Sequence, residues 1–229
     1  MRFRGRRLVV IVLGVIGVGA LLFIAVPTII NRFAFFRIAS VEFEGVQYLA
    51  PQDLLDRLAI PPSSHILVDL EPIEARARDI PGIREARITR RWPGTLVVRV
   101  REAVPVALVS VEGQLMVMDV TGEVLPWSPS RIEHPLPIAP QDSTVASLLG
   151  RLRLADPQGY GLLDRVRRQG GDLWLDAGRH TVRLRLDAGS GVLRHVGLVR
   201  EWLADSAVSW RQLDARVPTR FFVLKGGEQ

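Results

Sequence analysis

The chain has 229 residues, a formal net charge of +6 and no cysteine, which excludes disulfide and thiol chemistry. Its length is enough to bury a core without covalent staples. Four positive charges are Arg2, Arg4, Arg6 and Arg7, and the rest carries 26 basic against 24 acidic residues, so the high pI is no argument for nucleic-acid binding.

From Leu8 to Ile30 the chain has 23 residues without a charge. A helix of that length spans roughly 34 Å, enough for a bilayer core of about 30 Å. The sequence therefore predicts a transmembrane helix over 8–30, behind a short cytoplasmic tail at 1–7. Gly14, Gly17 and Gly19 are compatible with a membrane helix. The apolar region of a cleaved signal peptide is shorter, about 7–15 residues, and Ile24-Ala25-Val26-Pro27 makes a poor cleavage site. The expectation is a retained, single-pass type II anchor. The arginines hold the N-terminus in the cytoplasm and everything after Asn31 outside, a bias that Arg32 and Arg37 weaken without reversing.

Beyond the apolar run, Val41 and Phe43 alternate with Glu42 and Glu44 up to Gly45, a strand pattern. Pro51 is pre-set for the first position of a helix that carries Leu54, Leu55 and Leu58 on one side and is stopped by Pro61-Pro62. Ile73, Ala77 and Ile80 form one face of a second helix over 72–80, with Glu71 and Glu74 complementing its dipole. Two alternating runs follow. Ala86 and Ile88 alternate with Arg87 and Thr89, and Leu96, Val98 and Val100 alternate with Val97, Arg99 and Arg101. Trp92-Pro93-Gly94 between them is a turn signal, so the pair reads as a hairpin with one apolar and one basic face. The order strand, helix, helix, strand, strand makes a small α+β unit, with two helices covering one face of a three-stranded sheet.

These residues resemble the POTRA domain of the FtsQ/DivIB cell-division family. The resemblance rests on Phe36, Val41 to Gly45, Ile80-Pro81-Gly82-Ile83, Ala86, Arg90, Trp92-Pro93, Leu96, Val100, Glu102 and Pro105-Val106-Ala107. It implies a POTRA domain over 36–104 and an FtsQ-type β domain over 105–224, ahead of a flexible tail at 225–229.

In that second unit, Gln114 to Val124 reads as a hairpin turning at Asp119 to Gly122, which also fit the family's D-x-x-G. The proline-rich stretch 126–140 reads as an extended loop. Val145, Leu148, Leu149 and Leu152 mark a helix. Leu162 to Arg168 and Asp172 to Asp176 read as short strands. Val182, Leu184 and Leu186 alternate with arginines over 180–187. Val192, Val196, Val199 and Leu203 give a further helix, and Ser209 to Leu213 and Phe221 to Leu224 the last strands. The architecture is α+β: a transmembrane helix, a β-α-α-β-β unit, then a β-rich domain with flanking helices.

Chemistry is sparse. His65, His134, His180 and His195 have no metal-ligand spacing, with His195 expected on the surface, and no nucleophile elbow, phosphate loop or His-Glu-x-x-His is present. No catalytic, cofactor or metal residue is assigned. Two basic faces, Arg87/Arg99/Arg101 and Arg165/Arg167/Arg183/Arg185, admit docking of acidic partners or lipid headgroups, with a solvated face the favoured reading.

The resemblance implies a non-enzymatic scaffold of the division septum. Its partners would be FtsB/DivIC-like and FtsL-like coiled-coil proteins and septal cell-wall synthesis proteins. The alternative is a secretion or outer-membrane assembly component, whose chains need many long membrane strands after the POTRA unit. In the family the C-terminal strands form the partner-binding edge. Here Asp214, Ala215 and Arg216 fit that motif, while Val217 replaces the usual aromatic. A last strand is often an edge strand with open N–H and C=O groups. Phe221, Phe222 and Val223 put large side chains on both faces, to be covered by the domain's own helix or by a partner strand, with Arg216 and Arg220 pairing the partner's acids.

Overall fold

The computed structural model describes residues 36–61, 64–206 and 208–226. The expected transmembrane helix and cytoplasmic tail lie outside these residues, as do residues 227–229. Among the described residues no helix is long and apolar enough to cross a membrane. Two compact units adjoin in sequence at Arg101 and Glu102.

The first unit runs β1 (Ser40–Glu44), α1 (Pro51–Leu58), α2 (Glu71–Arg78), β2 (Ile83–Arg91) and β3 (Thr95–Glu102). The sheet order is β1-β3-β2, with β1 parallel to β3 and Phe43 opposite Val98. Leu54 and Leu58 of α1 and Ile73 and Ala77 of α2 close over Ala86, Ile88, Leu96, Val98 and Val100. Leu55 departs from the expected face and is partly exposed, one helical step (about 100°) around from Leu54. The helix also stops before the prolines, because Ala59 turns into the left-handed region at φ 48°.

Three residues lock the unit. Gly45 sits at φ 81°, and a Cβ there would lie 2.2 Å from the Val100 carbonyl oxygen, so no other residue fits. Glu74 accepts a hydrogen bond from the Ile88 N–H at 2.7 Å, satisfying a donor on edge strand β2 as well as pairing with Arg78. Arg90 donates to the carbonyls of Ile66 (2.6 Å) and Val68 (2.7 Å), pinning the α1–α2 connection to the sheet. Arg90→Lys should destabilise the unit nearly as much as Arg90→Ala, by about 2 kcal/mol in urea melts, since a single ammonium cannot fork to both carbonyls. Wild-type stability in Arg90→Lys would show that the fork is dispensable.

The outer face differs from the basic strip expected. Arg91 bonds Glu42 at 2.8 Å, Arg99 bonds Glu44 at 2.5 Å, and Arg101 pairs with Glu85. The Arg91–Glu42 bridge spans β3, and Val97 stands opposite Glu42 in the register. Val97 is accordingly buried at 3 % exposure, although alternation places it on the solvent side. The hairpin turn forms at Trp92-Pro93-Gly94. The Trp92–Pro93 peptide is cis and Trp92 is 57 % exposed, edge-on to Phe36 at 5.9 Å.

The second unit comprises β4 (Pro105–Val111), β5 (Gln114–Asp119), β6 (Val124–Leu125), α3 (Ser143–Ala155), α4 (Pro157–Gly161), β7 (Arg165–Gln169), β8 (Asp172–Ala177), β9 (His180–Arg185), α5 (Ser190–Asp205), β10 (Trp210–Val217) and β11 (Arg220–Lys225). One sheet has the order β4-β5-β6 and the other β11-β10-β9-β8-β7. The proline-rich stretch is more than a loop, because Ile138 bridges the two in parallel to Leu108 and Arg165. Its backbone is bonded on both sides: Leu108 N–H to Pro137, Ala139 N–H to Leu108, Ile138 N–H to Asp164 and Val166 N–H to Ile138. This stitch continues the sheet from β6 through to β11.

At the β5–β6 turn, Asp119 accepts from Thr121 N–H, Thr121 Oγ1 and Glu123 N–H, and Gly122 takes φ 90°. That is the physical content of the D-x-x-G spacing. Asp142 caps α3 by accepting from Thr144 and Val145, and Val145, Leu148, Leu149 and Leu152 are buried. Residues 162–164 are not strand. The chain first makes the short helix α4, whose Tyr160 hydroxyl donates to the Val106 carbonyl at 2.7 Å, and β7 begins only at Arg165. The buried stripe of α5 is rotated by one residue from expectation at its start, to Leu193, Val196, Gly197 and Leu203. The cause is Asp156, which is buried, holds Arg200 at 3.0 Å, and lies 3.0 Å from where a Gly197 Cβ would be. His195 is exposed.

Candidate partner-docking edge

Alternation on β8, β9 and β10 turns Leu173, Leu175, Val182, Leu184, Leu213 and Ala215 inward to the helices. The other face carries Asp172, Trp174, Asp176, Thr181, Arg183, Arg185, Asp214 and Arg216, and this face is charge-balanced. Arg167 bonds Asp176 at 2.7 Å, Arg183 bonds Asp172 at 2.7 Å, and Arg185 bonds Asp187 at 3.0 Å. Trp174 lies under two guanidinium groups, Arg183 at 4.7 Å and Arg167 at 5.5 Å from its ring centroid. The basic face expected from sequence is thus a web of ion pairs, and Arg165 is the member to which no such bond is assigned.

The register brings β11 to the open edge. Val217 pairs with Arg220 across a two-residue turn, Asp214 with Phe222, Leu213 with Val223 and Gln212 with Leu224. The closing pair of such a turn faces inward, and the Gly226 N–H donates to the Ser209 carbonyl at 3.2 Å. Both ends set the same parity. The N–H groups of Arg220, Phe222 and Leu224 face β10, and those of Phe221, Val223 and Lys225 point away from the sheet.

Phe222 is 58 % exposed, Leu224 60 % and Val223 37 %. Phe221 alone of the run packs partly on the core. The domain's own helices leave Phe222 and Leu224 more than half exposed. Beside Phe222 a groove of about 420 Å³ is lined by Asp172, Arg185, Asp214, Arg216, Val217 and Phe222.

Most of the residues expected at a docking edge come together here, with one correction. Arg216 is not held ready for a partner's acid. It bonds Asp214 at 2.7 Å and Asp172 at 3.1 Å, and these two carboxylates hold its guanidinium well above the usual arginine range. Arg220 is exposed at the turn, and Val217 is exposed beside it. Sequence reasoning missed the exposure of Leu224 and missed Asp172 as the hub beneath Arg183 and Arg216. The signal for Asp172 was its place at the start of an alternating strand.

The arginine bond to Asp214, and that of Arg167 to Asp176, hold both carboxyls below the ordinary aspartate range. An unfolded aspartate titrates near pH 4. Their stabilising effect is therefore complete above about pH 4 and is lost as the pH falls through their lowered values. In acid melts, Asp214→Asn should flatten the loss of stability below about pH 4. An unchanged acid limb would mean that Asp214 contributes nothing to it.

Among the described residues no group of three or more His, Asp or Glu side chains is placed to hold a metal ion. A separate, largely apolar cavity of about 440 Å³ lies between α3, α4, α5 and the sheet, lined in part by His180, Trp210, Val196 and Arg200.

Residues 36–103 match the family described as POTRA domain, FtsQ-type. The chain is similar to the cell division protein FtsQ of Anaeromyxobacter sp. (strain K), at 37% identity over 89 residues, covering 38% of this chain and 30% of that protein. It is 33% identical over 175 residues to FtsQ of Rhodothermus marinus, covering 66% of this chain and 62% of that protein. With FtsQ of Hirschia baltica the identity is 29% over 166 residues, covering 69% and 53%. The chain spans less than two thirds of the length of each of these relatives. The β-α-α-β-β order, the Arg90 fork and the Trp92-Pro93 turn all fall within the matched stretch, so residues 36–103 form a POTRA domain of the FtsQ type, and the chain is similar to cell division proteins FtsQ.

Proposed function

We propose that this protein is a non-enzymatic, membrane-anchored scaffold of the bacterial division septum that captures a partner by strand addition at β11. The observation that carries the reading is the open β11 edge, where outward N–H groups coincide with exposed Phe222, Val223 and Leu224. The relatives' name, cell division protein, supports the process. The partner is an extended segment of an FtsB/DivIC-like protein, with an FtsL-like protein in the same complex and septal cell-wall synthesis proteins beyond it. Arg220 at the turn meets its acids. Residues 8–30 anchor the chain with its C-terminus outside the cytoplasm.

A fluorescent fusion in dividing cells tests the process: a midcell band is expected, and a uniform envelope signal defeats the septal reading. A reporter active only outside the cytoplasm, fused after Gln229, should work; activity of a cytoplasmic reporter alone reverses the orientation.

A further inference from the structure

We propose that the β2–β3 turn of the first unit is a membrane-contacting apex, in which Trp92 and Leu67 seat in the lipid interface and Arg37 meets anionic headgroups. The inference rests on the anchor reading of residues 8–30.

Residues 36–40, which lead in from the uncharged run, lie at the end of the unit where this turn sits. Ala39 and Ser40 donate to the Gly94 carbonyl at 2.7 and 3.3 Å, Ile66 N–H donates to the Phe36 carbonyl at 2.8 Å, and Arg37 bridges His65. A Cβ on Gly94 would lie 2.3 Å from the Arg37 carbonyl oxygen, so turn and incoming chain are in close contact. Ile30, the end of the uncharged run, is six residues before Phe36, a reach of at most about 20 Å. The far end of β2, at Ile83, lies a further ~27 Å from the turn. The anchor thus tethers this end of the unit, and not the other, beside the bilayer.

The chemistry at the tethered end suits an interface. Trp92 is more than half exposed and its ring is buttressed edge-on by Phe36, while Leu67, at 45 % exposure, lies on the connection that Arg90 pins. An exposed Trp with an apolar body and one N–H donor prefers the headgroup level of a bilayer to bulk water. Arg37 is exposed at this end, and Arg91 keeps about half its side chain open while paired to Glu42. The carboxylate of Asp69, on the same connection, accepts from the Glu71 N–H at 3.2 Å. An anionic lipid surface therefore meets aromatic, aliphatic and guanidinium groups together.

The native chain has no cysteine, so single-thiol variants report one site each. Full-length Trp92→Cys, Leu67→Cys and Asp79→Cys, the last at the opposite end of the unit, are labelled with an environment-sensitive fluorophore. They are then reconstituted in phosphatidylethanolamine/phosphatidylglycerol vesicles. Nitroxide-bearing lipids should quench the labels at 92 and 67 and leave the label at 79 unchanged, with iodide in the water quenching in the reverse order. The Leu67 variant keeps the test in force if Trp92→Cys disturbs the turn. Equal behaviour at all three sites in protein that floats with carbonate-washed vesicles overturns the apex and leaves the anchor standing. Labels shielded from iodide but untouched by lipid quencher mean a protein covers the turn, which also overturns it. Protein that fails to float overturns the anchor and the apex together.

Discussion

Val98→Asp should unfold the first unit. Val98 is fully buried on β3, the middle strand, opposite Phe43 and beneath α1 and α2. Removing the buried valine forfeits about 1.5–3 kcal/mol. Keeping a carboxyl in that apolar core at neutral pH requires a pKa raised by roughly three units or more, a further ~4 kcal/mol. A unit of this size has a total stability of only about 3–10 kcal/mol. Val97→Asp is the informative neighbour. It is buried as well, but on the face where Arg91 and Arg99 lie, so a carboxylate there has guanidinium partners and forfeits chiefly the valine's burial, about 2 kcal/mol. Hydrogen exchange read by mass spectrometry on the full chain should show β2 and β3 unprotected in Val98→Asp and protected in Val97→Asp. Equal exchange in the two would erase the distinction between the faces.

The contrast between these adjacent valines marks where the sequence was legible. The order of elements in the first unit follows from local signals: Pro51, the Ile73/Ala77 spacing and the two alternating runs around Trp92-Pro93-Gly94. The burial of Val97 depends on an ion pair that reaches across a strand from Arg91 to Glu42, 49 residues apart in sequence, and alternation carries no trace of it. The same limit appears in α5, where apolar spacing alone selects Val192 and Val199. The helix instead rotates to bring Gly197 and Arg200 to Asp156, a buried carboxylate 44 residues away from its arginine. The role of Ile138 was hidden for another reason, because a one-residue bridge has no periodicity to detect.

The proposed docking edge was legible as a strand at the end of the chain, and its apolar run could be read directly. Its charges could not. Arg216 resembles an available cation in sequence, yet Asp172 arrives from two strands away to hold it. Arg220, at the turn, is exposed instead.

The largest effect at that edge should come from Val223→Pro. Proline removes one N–H and projects its ring to the same side. At Val223 that side is away from β10, so the substitution spares every β10–β11 bond and strips a donor from the edge a partner strand would use. The lost bond and the steric block together should weaken partner capture by on the order of a hundredfold, about 3 kcal/mol. Leu224→Pro is the counterpart. Its N–H faces β10 opposite Gln212, so proline there should unseat β11 itself, lowering thermal stability as well as binding. Both variants are made in the full chain, solubilised in detergent and tested by pull-down with the FtsB/DivIC-like protein, with melting recorded in parallel. The expected pattern is loss of binding at wild-type stability for Val223→Pro, and loss of both for Leu224→Pro. Full capture by stably folded Val223→Pro would show that the partner does not add as a strand to β11, and would move the contact to the side chains of Phe222 and Leu224 on the outer face.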